Sequence, residues 1–227
     1  GVCSRRDADK LIEQGKVLVN GQVAGMGQQV EETDTVQVGK KILQGKQTQK
    51  VLAFYKPVGV TCTERDPHAE KKIMDMIRYP ERLTYAGRLD KDSEGLILLT
   101  NDGDLINAMM RGGNRHEKEY IVKTDREITP DFLEKMAKGI YLKDLDITTR
   151  ECEIEQIGKF TFRIVLTQGV NRQIRRMCEA CGYRVKALKR IRIMNILLGD
   201  LKPGKWREVT GEELEQLQRD TGMLNRN

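Results

Sequence analysis

Residues 87–100 read GRLDKDSEGLILLT. Three acids, Asp90, Asp92 and Glu94, stand in a polar stretch that runs directly into the apolar Gly95-Leu-Ile-Leu-Leu. A short apolar run bounded by turn residues predicts a buried strand. Asn101-Asp102-Gly103 ends that strand and turns the chain into a short helix near 104–110. Loops held at the edge of a core by a rigid element often carry catalytic groups. Composition alone, by contrast, favours three solvated carboxylates.

Working outward, VLAFY (51–55) predicts a second strand, broken at Lys56-Pro57, and EYIVK (119–123) a third. Thr129-Pro130 places an N-cap and a proline at the first helical position ahead of FLEKMAK, which stops at Gly139. ECEIEQI and FTFRIVL pair as an antiparallel hairpin around Gly158-Lys159. NRQIRRMCEAC (171–181) has helical spacing at Ile174, Met177 and Cys178 and ends at Gly182, and Thr210-Gly-Glu-Glu213 is a capping box that opens the last helix.

Toward the N-terminus, residues 5–14 predict a short amphipathic helix between an N-cap at Ser4 and Gly15. VLV (17–19) and QVA (22–24) flank Asn20-Gly21, a strong hairpin signal, and DTVQV (34–38) adds a strand. GKKILQGKQTQK (39–50) contains no acid, is broken at Gly39 and Gln44-Gly45, and reads as a linker. The expectation is an α+β protein with a mainly antiparallel sheet, organised as a small domain (1–40), a linker (41–50) and a larger domain (51–227).

Composition bounds the function. The 227 residues are 38% hydrophobic and 33% charged, enough to build a core, and no uncharged apolar run approaches a bilayer span. This excludes a transmembrane helix, and no membrane partner is expected. The chain opens at Gly1 rather than Met, which leaves targeting signals ahead of it open. Five cysteines are a poor disulfide framework and fit a reducing cytoplasm. Cys178-x-x-Cys181 has no second pair, and the only histidines are His68 and His116, so the two thiols read as packed side chains and no metal is expected.

The net charge of +6 is unevenly placed, because residues 163–192 hold nine basic residues against Glu179. A block this dense in arginine is a candidate phosphate-backbone footprint. The competing reading is a solvated helix face and a charged strand edge.

Several motifs carry a resemblance. Arg88-Leu89-Asp90 followed by Ser93-x-Gly95-Leu96 resembles the central catalytic motif of the pseudouridine synthases, specifically the bacterial ribosomal-RNA group of the RsuA type. Lys56-Pro57-x-Gly59 resembles the strand-ending motif upstream of the family's aspartate, and Lys118-x-Tyr120 the motif whose tyrosine stacks on the target base. Gln173-Ile174-Arg175-Arg176-Met177 resembles the motif whose arginine pairs with the catalytic aspartate, and residues 1–40 resemble an S4-type RNA-binding module lacking the start of its first helix.

The resemblance implies an S4-like domain followed by a synthase domain that isomerises a specific uridine of ribosomal RNA, in the large subunit, without a cofactor. Asp90 is the expected nucleophile or base, Arg175 its cationic partner and Tyr120 the stacking face. Arg88, Lys56, Arg172 and Arg176, with Arg5, Arg6, Lys10 and Lys16 of the small module, are the expected RNA contacts. The expected partner is a ribosomal RNA stem-loop, bound by a monomer. Residues 1–40 nevertheless hold five basic residues and six acids, so net charge alone does not anchor the small module to RNA. A competing class is a non-catalytic S4-type RNA-binding or ribosome-assembly protein. It accounts for the charge but gives no reason for the Arg88-Leu89-Asp90, Lys118-x-Tyr120 and Gln173-Ile174-Arg175 motifs to occur together. A DNA-binding module lacks any recognisable helix-turn-helix, finger or basic zipper.

Overall fold

A computed structural model of the chain describes residues 3, 5–31, 33–43, 48–63, 69–111, 113 and 115–224. Ser4, Gln44-Gly45 and His68 lie outside the described residues. The chain divides into two compact units, Gly1–Gln49 with Pro80–Arg82, and Lys50–Tyr79 with Leu83–Asn227.

The first unit holds α1 (Arg5–Glu13) and four strands, β1 (Val17–Val19), β2 (Gln22–Val23), β3 (Val36–Val38) and β4 (Lys41–Ile42), paired antiparallel in the order β2-β1-β3-β4. Asn20 and Gly21 both adopt positive φ, 51° and 82°, as a tight two-residue hairpin turn requires. The Asn20 side chain then donates to Asp34 and accepts from the Thr35 amide, which ties the hairpin to the approach of β3. Val17, Val19 and Ala24 form the small core, with Leu11 and Ile12 of the helix packed on it. One strand falls where a linker was expected. Gly39 takes a left-handed φ of 59°, so the glycine acts as a hairpin turn that pairs Val38 with Lys41 rather than as a break.

The second unit contains β5 (Val51–Lys56), β6 (Thr84–Ala86), β7 (Glu94–Thr100), β8 (Lys118–Thr124), β9 (Tyr141–Leu142), β10 (Ile147–Thr148), β11 (Glu153–Gly158), β12 (Thr161–Leu166), β13 (Val185–Ile193), β14 (Ile196–Leu197) and β15 (Trp206–Glu208). Its helices are α2 (Gly103–Met110), α3 (Pro130–Lys138), α4 (Gln173–Ala180) and α5 (Gly211–Asp220). The main sheet runs β11-β12-β8-β13-β7-β5-β15, with β14 beside β13 and β6 beside β7. Among the described residues every pairing between the strands of this sheet is antiparallel except β13 with β7, so the fold is α+β with a mainly antiparallel sheet.

β5 and β7 are buried on both faces. Val51, Ala53, Tyr55, Leu96 and Leu98 pack with α2 and α5, while Leu52, Phe54, Ile97 and Leu99 pack with Val60, Ile73 and Leu83. This is why the sequence there shows a continuous apolar run rather than alternation. A separate core joins Val122, Phe162 and Ile164 to Phe132 and Met136 of α3 and to Ile174, Met177 and Cys178 of α4.

Two local expectations are not met. Thr210 makes no side-chain cap bond at the start of α5, and the Glu213 carboxylate, the other half of the expected box, is instead held by both terminal nitrogens of Arg207 at 2.6 and 2.7 Å. Helix α4 starts at Gln173, not Asn171, because Arg172 sits at φ 51°, ψ 33° outside the helical region.

Candidate active site

Two elements deliver Asp90: β6 enters the loop and β7 leaves it. Leu89 is buried and anchors the loop to the core, while Asp90 keeps a side chain 36% exposed. The Ser93 amide donates to the Asp90 carbonyl at 3.1 Å and closes the turn, and Gly59 donates to the Lys91 carbonyl at 2.7 Å. The second bond explains the Lys56-Pro57-x-Gly59 motif. Lys56 is fully buried and its Nζ donates to the carbonyls of Pro57 and Val60 at 2.9 and 2.8 Å, fixing a turn that braces the Asp90 loop from one side. Burial lowers the pKa of this ammonium, opposed by the charges of Cys62, Asp90 and Asp92. Lys56 was expected to contact RNA. In this structure its ammonium is buried and bonded inside the turn rather than presented at the surface.

Two arginines face the two acids, Arg172 just ahead of α4 and Arg175 within its first turn. Arg172 donates from Nη2 to Asp92 at 3.1 Å and places Nη1 3.4 Å from Asp90 Oδ2. Arg175 donates to the Asp92 carbonyl at 3.0 Å and to Ser93 Oγ at 3.1 Å, and it lies 3.3 Å from the Asp92 carboxylate. The expected Arg175–Asp90 pair is therefore replaced by Arg172–Asp90. Arg172 reaches both acids from a left-handed backbone, φ 51°, and non-glycine residues held there concentrate at functional sites. Burial pushes the Asp92 carboxyl up, but the hydrogen bond from Arg172 and the charges of Arg175 and Arg172 outweigh it and hold the group below its usual range.

Tyr120 lies on β8, half-buried, opposite Arg190 of β13 and Ile164 of β12. Arg88 is exposed beside the loop. Arg176 pairs with Asp144 and donates to the Asn171 carbonyl at 3.0 Å, so its charge is already engaged. Arg5, Arg6, Lys10 and Lys16 of the small unit are all exposed.

The expected footprint of residues 163–192 is not one free surface. Arg163 and Arg192 both bind Glu119, Arg163 also binds Glu155 and Arg192 also binds Glu117, while Arg190 is buried. The neutralising acids come from other strands, which a charge count along one segment does not register. Cys178 is buried and its thiol is pushed up to about 12, chiefly by burial, and Cys181 is half-buried with a raised pKa, so both behave as packed thiols. Among the described residues no group of three or more His, Cys, Asp or Glu could hold a metal ion.

The class of protein that carries this aspartate loop is set by comparison with known families: an RNA-modifying synthase with an S4 unit at its N-terminal end. The chain belongs to the RNA pseudouridylate synthase family, which residues 50–180 match, and residues 1–36 match the S4 domain. It is 46% identical to the dual-specificity RNA pseudouridine synthase RluF of Escherichia coli K12, over 96% of this chain and 74% of that protein. It is 33% identical to the ribosomal large subunit pseudouridine synthase B of Pseudomonas aeruginosa, over 98% of this chain and 60% of that protein. A crystal structure of a pseudouridylate synthase superposes with a TM-score of 0.72 at 28% identity, covering 94% of both chains. The protein is thus an isomerase acting on RNA, and the reading as a non-catalytic S4 protein is set aside.

Sequence reasoning missed two features. The direct partnership of Arg172 with Asp90 left no trace, because no residue type announces a left-handed arginine. Arg190 was counted as one basic residue among nine; the glycine opposite it, Gly95, was the available signal.

Proposed function

We propose that the protein converts a specific uridine of large-subunit ribosomal RNA to pseudouridine, with Asp90 as the reacting carboxylate. The reaction breaks the C1′–N1 bond, turns the uracil and joins C1′ to C5; the proton on C5 is lost and the freed N1 gains one, so the product is an isomer of the substrate, nothing is oxidised and no cofactor is required. Asp90 acts as nucleophile or as base, and both roles need an ionised, reachable carboxylate. Among the described residues Arg172 is the one cation within ion-pair distance of Asp90, and the loop stays partly open. That combination is the observation that carries the reading: a carboxylate held by one arginine at 3.4 Å and still 36% exposed is oriented by the protein and reachable by a substrate.

A stacked uridine is out of reach, so the target nucleotide leaves the helix or is taken already unstacked, and Tyr120 offers it an aromatic face. Arg88 contacts RNA near the vacated position. Arg175 acts one step removed, holding Asp92 and Ser93 and so fixing the loop that presents Asp90. Residues 1–40 form the auxiliary RNA module and 51–227 the synthase domain. The relatives' names support ribosomal RNA as the substrate, and a monomer acting in the cytoplasm on a stem-loop is the simplest assembly.

Asp90→Asn tests the assignment, since it keeps size and hydrogen-bonding shape but removes the nucleophile or base. Single-turnover isomerisation should fall by at least about 1,000-fold with RNA affinity within about threefold of the parent. Substantial turnover by the variant would remove Asp90 from the mechanism.

A further inference from the structure

The edge of β7 that faces away from β5 is shared by two strands. β13 pairs there at Glu94 and Gly95, and β6 pairs from Leu98 to Thr100. Between them the Leu96 carbonyl is left over, and Arg190 Nε takes it at 2.7 Å. From the same guanidinium, Nη1 reaches the carbonyl of Arg88 at 3.5 Å. Arg88 and Leu96 lie on either side of Asp90, so one planar group spans the mouth of the loop.

The approach is built into the backbone. Gly95 adopts φ 112°, and a Cβ there would lie 2.2 Å from the Arg190 carbonyl and 2.6 Å from its amide nitrogen. Only glycine lets β13 come close enough to seat Arg190 under the loop. Arg190 is 3% exposed, and its Nη2 is buried with no hydrogen bond. Leaving a guanidinium nitrogen unsatisfied inside the protein is costly, and a neutral apolar side chain would fill the space without that cost. No carboxylate pairs with Arg190 among the described residues, so an ion pair does not account for its retention. Its cross-strand neighbour on β8 is Tyr120, and directly opposite antiparallel residues share a face of the sheet.

We infer that Arg190 is a positioning residue that splays β13 from β6, clamps both shoulders of the Asp90 loop and sets its place relative to Tyr120. The inference rests on the proposed role of Asp90. Without the clamp the loop keeps its bonds at Ser93 and Gly59 but loses its fixed entry at Arg88, and a displacement of about 1 Å at the reacting carboxylate costs on the order of 100-fold in rate.

The test uses the intact chain with Arg190→Lys, which keeps the charge but reaches one carbonyl, and Arg190→Met, which keeps volume and loses both bonds. Single-turnover rates per folded molecule should fall by about 10-fold in the lysine variant and about 100-fold in the methionine variant, with RNA affinity within about threefold. Amide hydrogen exchange of the unliganded protein should quicken at Ser93, whose N–H bonds the Asp90 carbonyl, while the central amides of β5 and β7 keep their protection. If Arg190→Met does not fold, Arg190→Lys alone carries both readouts. Parental rates in the folded variants, or a rate loss matched by lost RNA affinity with Ser93 protection unchanged, would overturn the inference. Asp90→Asn measured alongside separates the two ideas: activity in that variant refutes the role of Asp90, whereas the exchange experiment judges the clamp by itself.

Discussion

Arg163 and Arg192 lie on the main sheet, each bonded to Glu119 and to one further glutamate, whereas Arg172 and Arg175 stand at the start of α4 around Asp90 and Asp92. All four come from one basic stretch of sequence. On the sheet Glu119 is only 13% exposed and receives an arginine from each side, at 3.1 and 2.6 Å. At the loop Arg172 is 42% exposed and Asp90 36%, and the contact between them is longer, 3.4 Å. The first network is closed and serves the sheet. The second is open at Arg172, Asp90 and Asp92, while Arg175 behind them is 15% exposed. A local excess of arginine therefore does not locate an RNA surface; the partners that the fold brings from elsewhere decide it.

The difference breaks most sharply at Arg172. Replacing Arg172 with Met removes the cation on Asp90 and one of the two holding Asp92, and should lower the single-turnover rate by about 100-fold, with RNA affinity weakened by a single phosphate-type contact at most. Arg175→Met should act more weakly, because Arg175 touches Asp92 and Ser93 but not Asp90. A rate lost on replacing Arg175 but kept on replacing Arg172 would show that RNA binding re-pairs Asp90 with Arg175, as the sequence motif implies.

That reversal would also mark how far the sequence could be read. The local signals were legible: Asn20-Gly21, Gly158-Lys159 and Thr129-Pro130 sit where their turns and cap form, and the apolar run after Glu94 is the central strand. Non-local features were not. β13, VKALKRIRI, mixes buried and charged positions so densely that it registered as charge, and its parallel pairing with β7 depends on chain distant in sequence. The burial of Lys56 is likewise invisible, because its partners are carbonyls, which every residue carries. At the site, the loop between β6 and β7 was legible as a polar stretch ahead of a buried strand, while the Arg172 contact with Asp90 was not, since helix α4 was expected to start one residue before Arg172 and in fact starts one after it.

A second difference concerns pH. Burial pushes Glu119 up, but hydrogen bonds from Arg192 and Arg163 and the charges of both arginines outweigh it, so its folded-state pKa lies below the ordinary value. A depressed carboxylate contributes stability that is fully present above the unfolded pKa of about 4.3 and is lost as pH falls through the lower, folded value. Glu119→Gln should cost about 1.5–3 kcal/mol at pH 7, the range for hydrogen bonds to charged groups, and should flatten the acid limb of the stability curve. Urea unfolding from pH 7 to pH 3 measures both, and turnover per folded molecule should not change. An unaltered acid limb would mean that the sheet network is as solvent-screened as an ordinary surface pair.

The smallest expected effect separates free from committed cations most directly. Binding to RNA releases counterions, so each phosphate contact adds about 0.7–0.9 to the slope of log affinity against log salt. Arg163 is already bonded to Glu119 and Glu155, and replacing it with Gln should leave that slope within about 0.3 of the parent. Arg5, Arg6, Lys10 and Lys16 are exposed on a unit whose first 40 residues sum to slightly negative, so any phosphate contacts there come from a local basic face rather than from net charge. Changing all four to Gln in the intact chain should flatten the slope by about 2, the equivalent of two or three contacts. Equal slopes for both variants and the parent would place the RNA contacts elsewhere in the larger unit. A drop with Arg163→Gln as large as one full contact would show that RNA opens the Glu119 network, and the closed and open arginine clusters would then differ in degree, not in kind.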